Sequence, residues 1–184
     1  MRFTSYATIA LSFVGAAIAL PAVKRASASD LQTAINTLVS QISVSESILM
    51  DYSSAGDLLS PEELYNRLHD GGYLADAVTA DAMIITALSE EDGQTIFSSL
   101  QNATPHLENF LQLLIADKSK FIGVPASGGI EALILQGLDI FTNSLTMMGN
   151  RFLAIAPADL QGPEAILFRD VTSAFGKVIE AYSS

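Results

Sequence analysis

Residues 130–152, IEALILQGLDIFTNSLTMMGNRF, decide the fold class. Ile130, Ile134, Leu138, Phe141, Leu145, Met148 and Phe152 recur three and four residues apart, the spacing of one helix face. Leu135, Ile140 and Met147 fall outside that stripe, so the helix is apolar around most of its circumference. Such a helix is buried on several sides by its neighbours, and a central position is expected for it.

The same period extends outward in both directions. Downstream, 157–163 reads as a linker or short turn, followed by a last helix with Leu167, Val171, Ala174, Phe175, Val178 and Tyr182 on one side. Upstream, 123–129 (GVPASGG) reads as a loop, with Ser127 able to cap the helix that follows. Before it runs the stripe Ile96, Leu100, Ala103, Leu107, Phe110, Leu114 and Phe121. Ser89-Glu90-Glu91-Asp92 opens that segment, with acids at the positive end of the helix dipole, and Lys118 and Lys120 close it. Pro105 inside it predicts either a kink or a fresh start capped by Thr104. Ser60-Pro61-Glu62-Glu63 is a capping box that opens a short helix to about His69. Gly71-Gly72 reads as a break or bend, and a further helix carries Leu74, Val78, Ile85 and Leu88. The first helix is expected from Asp30, capped by Ser29, with Leu31, Ile35, Leu38, Ile42, Ser45, Leu49 and Tyr52 in line. No alternating strand pattern of useful length interrupts the series. The fold class is therefore all-α, a five- to six-helix elongated bundle with an apolar interior.

Composition narrows the function. Of 184 residues 49% are apolar and 16% charged, which excludes an ordinary disordered chain. No cysteine is present, which excludes a disulfide framework, a thiolate zinc site and a cysteine nucleophile. The formal charge of −11 opposes the field a nucleic-acid binder needs, so no nucleic-acid partner is expected. Adhesion to anionic lipid through basic residues is disfavoured for the same reason.

The N-terminus reads as processing signals. Residues 1–6 carry Arg2, residues 7–20 (ATIALSFVGAAIAL) are a short apolar core, and Ala17-Ile18-Ala19 offers a small-x-small cleavage site. A signal peptide 1–19 is expected, then a propeptide 20–25 ending in the dibasic Lys24-Arg25. The bundle domain would occupy 26–184, with the mature chain beginning at Ala26. Losing Arg2, Lys24 and Arg25 leaves six basic side chains (nine less three) against 20 acidic ones, a formal charge of −14. No second long apolar run and no hydrophobic C-terminal tail follow, so a secreted protein without a transmembrane or glycolipid anchor is expected.

Catalytic constellations are weak. His69 and His106 lie 37 positions apart with no metal-binding spacing and read as solvated surface histidines. Ser127 lacks the preceding strand and glycine of a nucleophile elbow. Glu90-Glu91-Asp92 is explained by its helix start. No catalytic residue, metal or cofactor is expected. Asn102-Ala103-Thr104 is a glycosylation sequon, roughly 120° from the stripe centre and so facing water, with Pro105 lowering its efficiency.

Three stretches carry a resemblance: Leu114-Ile115-Ala116-Asp117-Lys118-Ser119-Lys120-Phe121, Leu135-Gln136-Gly137-Leu138, and Ala174-Phe175-Gly176-Lys177-Val178-Ile179-Glu180-Ala181-Tyr182. In their order and spacing, with the leader segments, the chain resembles the fungal family of hydrophobic surface-binding protein A and antigenic cell-wall galactomannoproteins. It departs from wall-anchored members in lacking a Ser/Thr-rich stalk. The resemblance implies a non-enzymatic helical bundle that adsorbs to hydrophobic surfaces or holds fatty acids, with an association with cell-wall glycan as a further implied partner. The alternative is a structural or antigenic wall mannoprotein without a specific small ligand. For a ligand, helical stepping singles out Ile42, Ser45, Leu49, Leu138, Phe141, Ser144, Leu145 and Met148. Ser45 and Ser144 are polar groups in a hydrocarbon seam. Each either bonds the carbonyl four residues back or meets a ligand's polar end, with Gly137 leaving room for the chain. Asp81 projects near Leu74, Val78 and Ile85. A second place for the headgroup is a bundle mouth near Lys118 and Lys120.

Overall fold

The computed structural model describes residues 27–55, 61–121 and 129–183. The expected signal peptide and propeptide, with Ala19, Lys24 and Arg25, and the caps expected at Ser60 and Ser127 lie outside the described residues. Five helices follow one another: α1 Ala28–Ala55, α2 Pro61–Ile84, α3 Glu90–Phe121, α4 Ile130–Ile155 and α5 Gln161–Ser183. The longest, α3, has 32 residues and is about 48 Å long.

The helix starts show why the chain breaks where it does. Ser27, rather than Ser29, caps α1: its Oγ accepts from the Asp30 amide (3.2 Å), and Asp30 Oδ2 accepts from the Ser27 amide (3.0 Å). Ser89 caps α3 by accepting from the Asp92 amide at 3.1 Å. The reciprocal pair satisfies backbone donors that the first turn leaves free. At the opposite kind of terminus, Arg151 of α4 donates to the carbonyls of Ala82 (3.0 Å) and Ile85 (2.5 Å), covering the end of α2 with a cation.

Several sequence expectations are corrected. α2 does not stop near His69 or break at Gly71-Gly72; it is one helix of 24 residues. The glycines serve packing: a Cβ on Gly71 would sit 2.7 Å from the Phe141 ring, and one on Gly72 would sit 2.9 Å from Ile140 Cγ2. They let α2 and α4 approach closely, which more than offsets the helix propensity glycine gives up. Ile85 and Leu88 are buried in the connection after α2, beyond its last turn. α3 runs through Pro105 without a second start, and Thr104 donates to the Leu100 carbonyl (3.1 Å) instead of capping. The linker before α5 is short, because Gly162 and Pro163 already belong to its first turn.

The helices close into a ring. α1 packs mainly on α2 and α3, α4 on α2 and α5, and α5 on α3, so the order around the ring is α1, α2, α4, α5, α3. α1, α3 and α5 run in one direction and α2 and α4 in the other. Gln32 of α1 meets Ser99 of α3 at one end (2.8 Å), and Lys120 of α3 reaches Ser53 of α1 at the other. α4 is thus one stave of the ring rather than its centre. Its broad apolar circumference is explained by contacts on both flanks, above all the seam with α2. Five close-packed cylinders about 10 Å across leave an axial gap of roughly 3.5 Å radius, against roughly 2 Å for four. The stripes read from the sequence point into that gap, where Leu31, Ile35, Leu38, Leu114, Leu138, Phe152 and Phe175 are almost completely buried.

Candidate functional site

The axial gap is filled mostly by side chains, but not wholly. A cavity of about 30 Å³ lies among Leu38, Val39 and Ile42 of α1, Leu100, Ala103, Thr104 and Leu107 of α3, Leu145 and Met148 of α4, and Leu167, Phe168 and Val171 of α5. Its wall is apolar throughout. The space is partly open to the outside, between half-buried Val39, Thr104, Leu167 and Phe168, and its wall offers water no hydrogen bond. A second, smaller space of about 10 Å³ adjoins it, sharing Ile42 and Leu107 and adding Gln41, Ser45, Arg67, Gly71, Phe110 and Phe141.

The sequence-predicted ligand residues are all buried. Ile42, Leu145 and Met148 line the first cavity; Ile42, Ser45 and Phe141 line the second. Leu49, Leu138 and Ser144 belong to the surrounding core without facing either space. Gly137 does not leave room for a ligand: a Cβ there would lie 2.9 Å from Leu68 Cβ, so α2 already occupies the space. Asp81 is half-buried rather than projecting into the core. The contributions of α3 and α5 were not legible as lining, because a helical stripe shows which face is inward but not at which level a gap remains.

Two hydroxyls stand out in this interior. Thr79, Thr104 and Thr142, half-buried, each donate to the carbonyl four residues back. Ser45 and Ser144, both buried, form no such bond among the described residues. Neither oxygen is fully sealed from solvent, so each can bond water or a polar guest.

Other polar groups in the ring are engaged. Buried Glu46 accepts from Asn109 Nδ2 (3.0 Å) and pairs with His106 Nδ1 (2.5 Å), so His106, half exposed on the surface as expected, also ties α3 to α1. His69 is exposed beside Asp70. The mouth expected at Lys118 and Lys120 is a latch: Lys118 donates to the Ala181 carbonyl, and Lys120 pairs with buried Asp117 at 2.7 Å. Beside them Tyr182 donates to the Leu114 carbonyl at 2.7 Å. Burial, then the negative charges of Asp117 and Glu131, hold its phenol well above the usual range, so it remains a donor.

Glu164, in the first turn of α5, is an exception, as is the buried Oε1 of Gln32 in α1. Glu164 is completely buried and neither carboxylate oxygen has a hydrogen-bond partner. Desolvation raises its pKa from 4.5 to about 7. It lies one turn before Leu167 and Phe168 of the cavity wall.

No sequence-family model and no curated protein matches the chain. Solved structures do. AfMP4p in complex with palmitic acid superposes with a TM-score of 0.75 at 22% identity, covering 85% of this chain and 99% of that one. Ligand binding domain 1 of the Penicillium marneffei MP1 protein, complexed with arachidonic acids, gives a TM-score of 0.75 at 14% identity, covering 86% and 100%. Domain 2 of that protein, also with arachidonic acids, gives 0.70 at 12% identity, covering 83% and 94%. The chain has their fold. That fold is shared with domains whose structures were solved in complex with palmitic or arachidonic acid. None of the described helices here is long and apolar enough to cross a membrane.

Proposed function

We propose that the protein is a secreted, non-enzymatic carrier of long-chain fatty acids, and that it belongs with the fungal surface-binding and galactomannoprotein family it resembles. The observation that carries this reading is the apolar-walled cavity between α1, α3, α4 and α5 of the five-helix ring. Similarity to domains solved with palmitic and arachidonic acids supports it. Each buried CH₂ contributes roughly 0.8 kcal/mol, so an acyl chain needs no catalytic group to be held. Ile42, Leu145 and Met148 contact the tail, and the hydroxyl of Ser45, which lines the adjoining space, meets its polar end, with Ser144 in the core behind them. The large exposed apolar side chains, such as Met50, Tyr73, Met83, Met147 and Ile166, are spread over several helices. That distribution favours interior binding over adsorption through one face. Maturation after Arg25 and a glycan on Asn102, which is exposed on α3, belong to the same reading.

The test is titration of the purified mature chain with labelled long-chain fatty acid. Saturable uptake is expected with a dissociation constant of micromolar order. Ser45→Val and Ser144→Val should each weaken it severalfold while barely changing the Tm. Mass spectrometry of the secreted protein should find co-purified lipid and an N-terminus at Ala26. A chain that takes up no fatty acid and carries no lipid is the wall-protein alternative, and one that begins at Leu20 is cut by signal peptidase alone.

A further inference from the structure

A fatty carboxylate taken into an apolar bundle loses its hydration and needs charge-assisted donors in exchange. Outside the leader segments the chain has six basic side chains, all among the described residues. Arg151 covers the end of α2, and Lys118 and Lys120 are held in the latch with Ala181 and Asp117. Arg169 pairs with Asp170 on the surface (2.9 Å). Lys177 lines an open groove between α3 and α5 beside Glu108 and Asp170. Arg67 differs: it lines the smaller interior space, on the α2 side, and its side chain is 24% exposed. Its contact with Glu63 is long, at 3.5 Å.

The groups around Arg67 suit a carboxylate. Ser45 and Gln41 of α1 line the same space, and neither side chain forms a hydrogen bond among the described residues. A guanidinium presents paired N–H donors that match a carboxylate, with the amide and hydroxyl available beside it. The space adjoins the apolar cavity through Ile42 and Leu107, which line both. We propose that Arg67, with Gln41 and Ser45, is the carboxylate anchor of the site. The acyl tail then runs past Ile42 and Leu107 toward Leu145 and Met148. This inference rests on the fatty-acid reading above and adds a specificity: the site takes the free acid in preference to a neutral lipid of equal length.

The experiment compares palmitic acid with hexadecanol on the wild type, Arg67→Gln and Arg67→Lys, each with its Tm measured. The wild type should prefer the acid. Arg67→Gln should weaken acid binding about tenfold or more, leave the alcohol within about twofold, and so erase the preference. Arg67→Lys should recover part of it. Equal loss of acid and alcohol in Arg67→Gln, or no loss of acid, overturns the anchor while the carrier reading stands. Failure of the wild type to bind either lipid overturns both.

Discussion

Glu164 is buried as an acid in a place built for hydrocarbon. A first helical turn normally favours an anion through its free amides, yet here desolvation dominates and the pKa rises to about 7. A raised carboxyl pKa means that the folded chain holds a proton the unfolded chain releases. The stability it contributes is fully present below about pH 4.5 and is lost as pH rises through about 7. Glu164→Leu removes the charge and the unpaired oxygens together. It should raise the Tm by roughly 5 °C above pH 7 and flatten the decline expected of the wild type between pH 4.5 and 7, followed by circular dichroism melts. A wild-type Tm that climbs across that window would contradict the assignment. Glu164 occupies a periodic inward position, three residues before Leu167, so its site was visible in the sequence. Its lack of a partner was not, because that depends on side chains from other helices.

Among the elements, the seam between α2 and α4 depends on missing side chains. Gly71→Ala would push a methyl against the Phe141 ring, which is itself set edge-on to Phe175 at 5.2 Å. The expected cost is about 1–3 kcal/mol, more than the helix propensity recovered. Gly176 in α5 has nothing within 4 Å of the corresponding position. Gly176→Ala should therefore stabilise by about 0.5–1 kcal/mol. Chemical denaturation of the two variants gives opposite shifts in midpoint if this account holds. The contrast also shows what a local reading can and cannot supply. The apolar stripes of α1, α3, α4 and α5 were legible because burial repeats with the helical period. The Gly71-Gly72 pair was misread because its meaning lies in Ile140 and Phe141, some seventy positions away in the chain. Arg67 was missed for a related reason: the sequence shows a charged residue between Leu64 and Leu68, but not the small space it borders.

The whole molecule is closed around too little empty space for its proposed ligand. A cavity of about 30 Å³ is well below the ~300 Å³ or more of ordinary small-molecule pockets. An acyl chain can enter only if helices part, and the tight α2–α4 seam is the least suited to open. The least extensive seams between neighbours, α1 with α2 and α3 with α5, are the ones suited to part. Stopped-flow uptake of a fluorescent fatty acid should then show a rate that levels off as ligand concentration increases, because opening becomes limiting. A rate that stays proportional to concentration throughout would mean that the ring needs no opening step.

The order of the ring differs from the order of the chain, and this bears on how the protein is made. When the ribosome has delivered four helices, α3, α1, α2 and α4 can form only an arc. Its inner face carries the apolar stripes, with Phe141, Leu145, Met148 and Phe152 uncovered on one limb. α5 is translated last of the five, and Phe175, Val178 and Tyr182 are the side chains that close the arc. Until then the nascent chain displays the kind of surface that chaperones retain. Release from such chaperones would therefore report on the docking of a single helix.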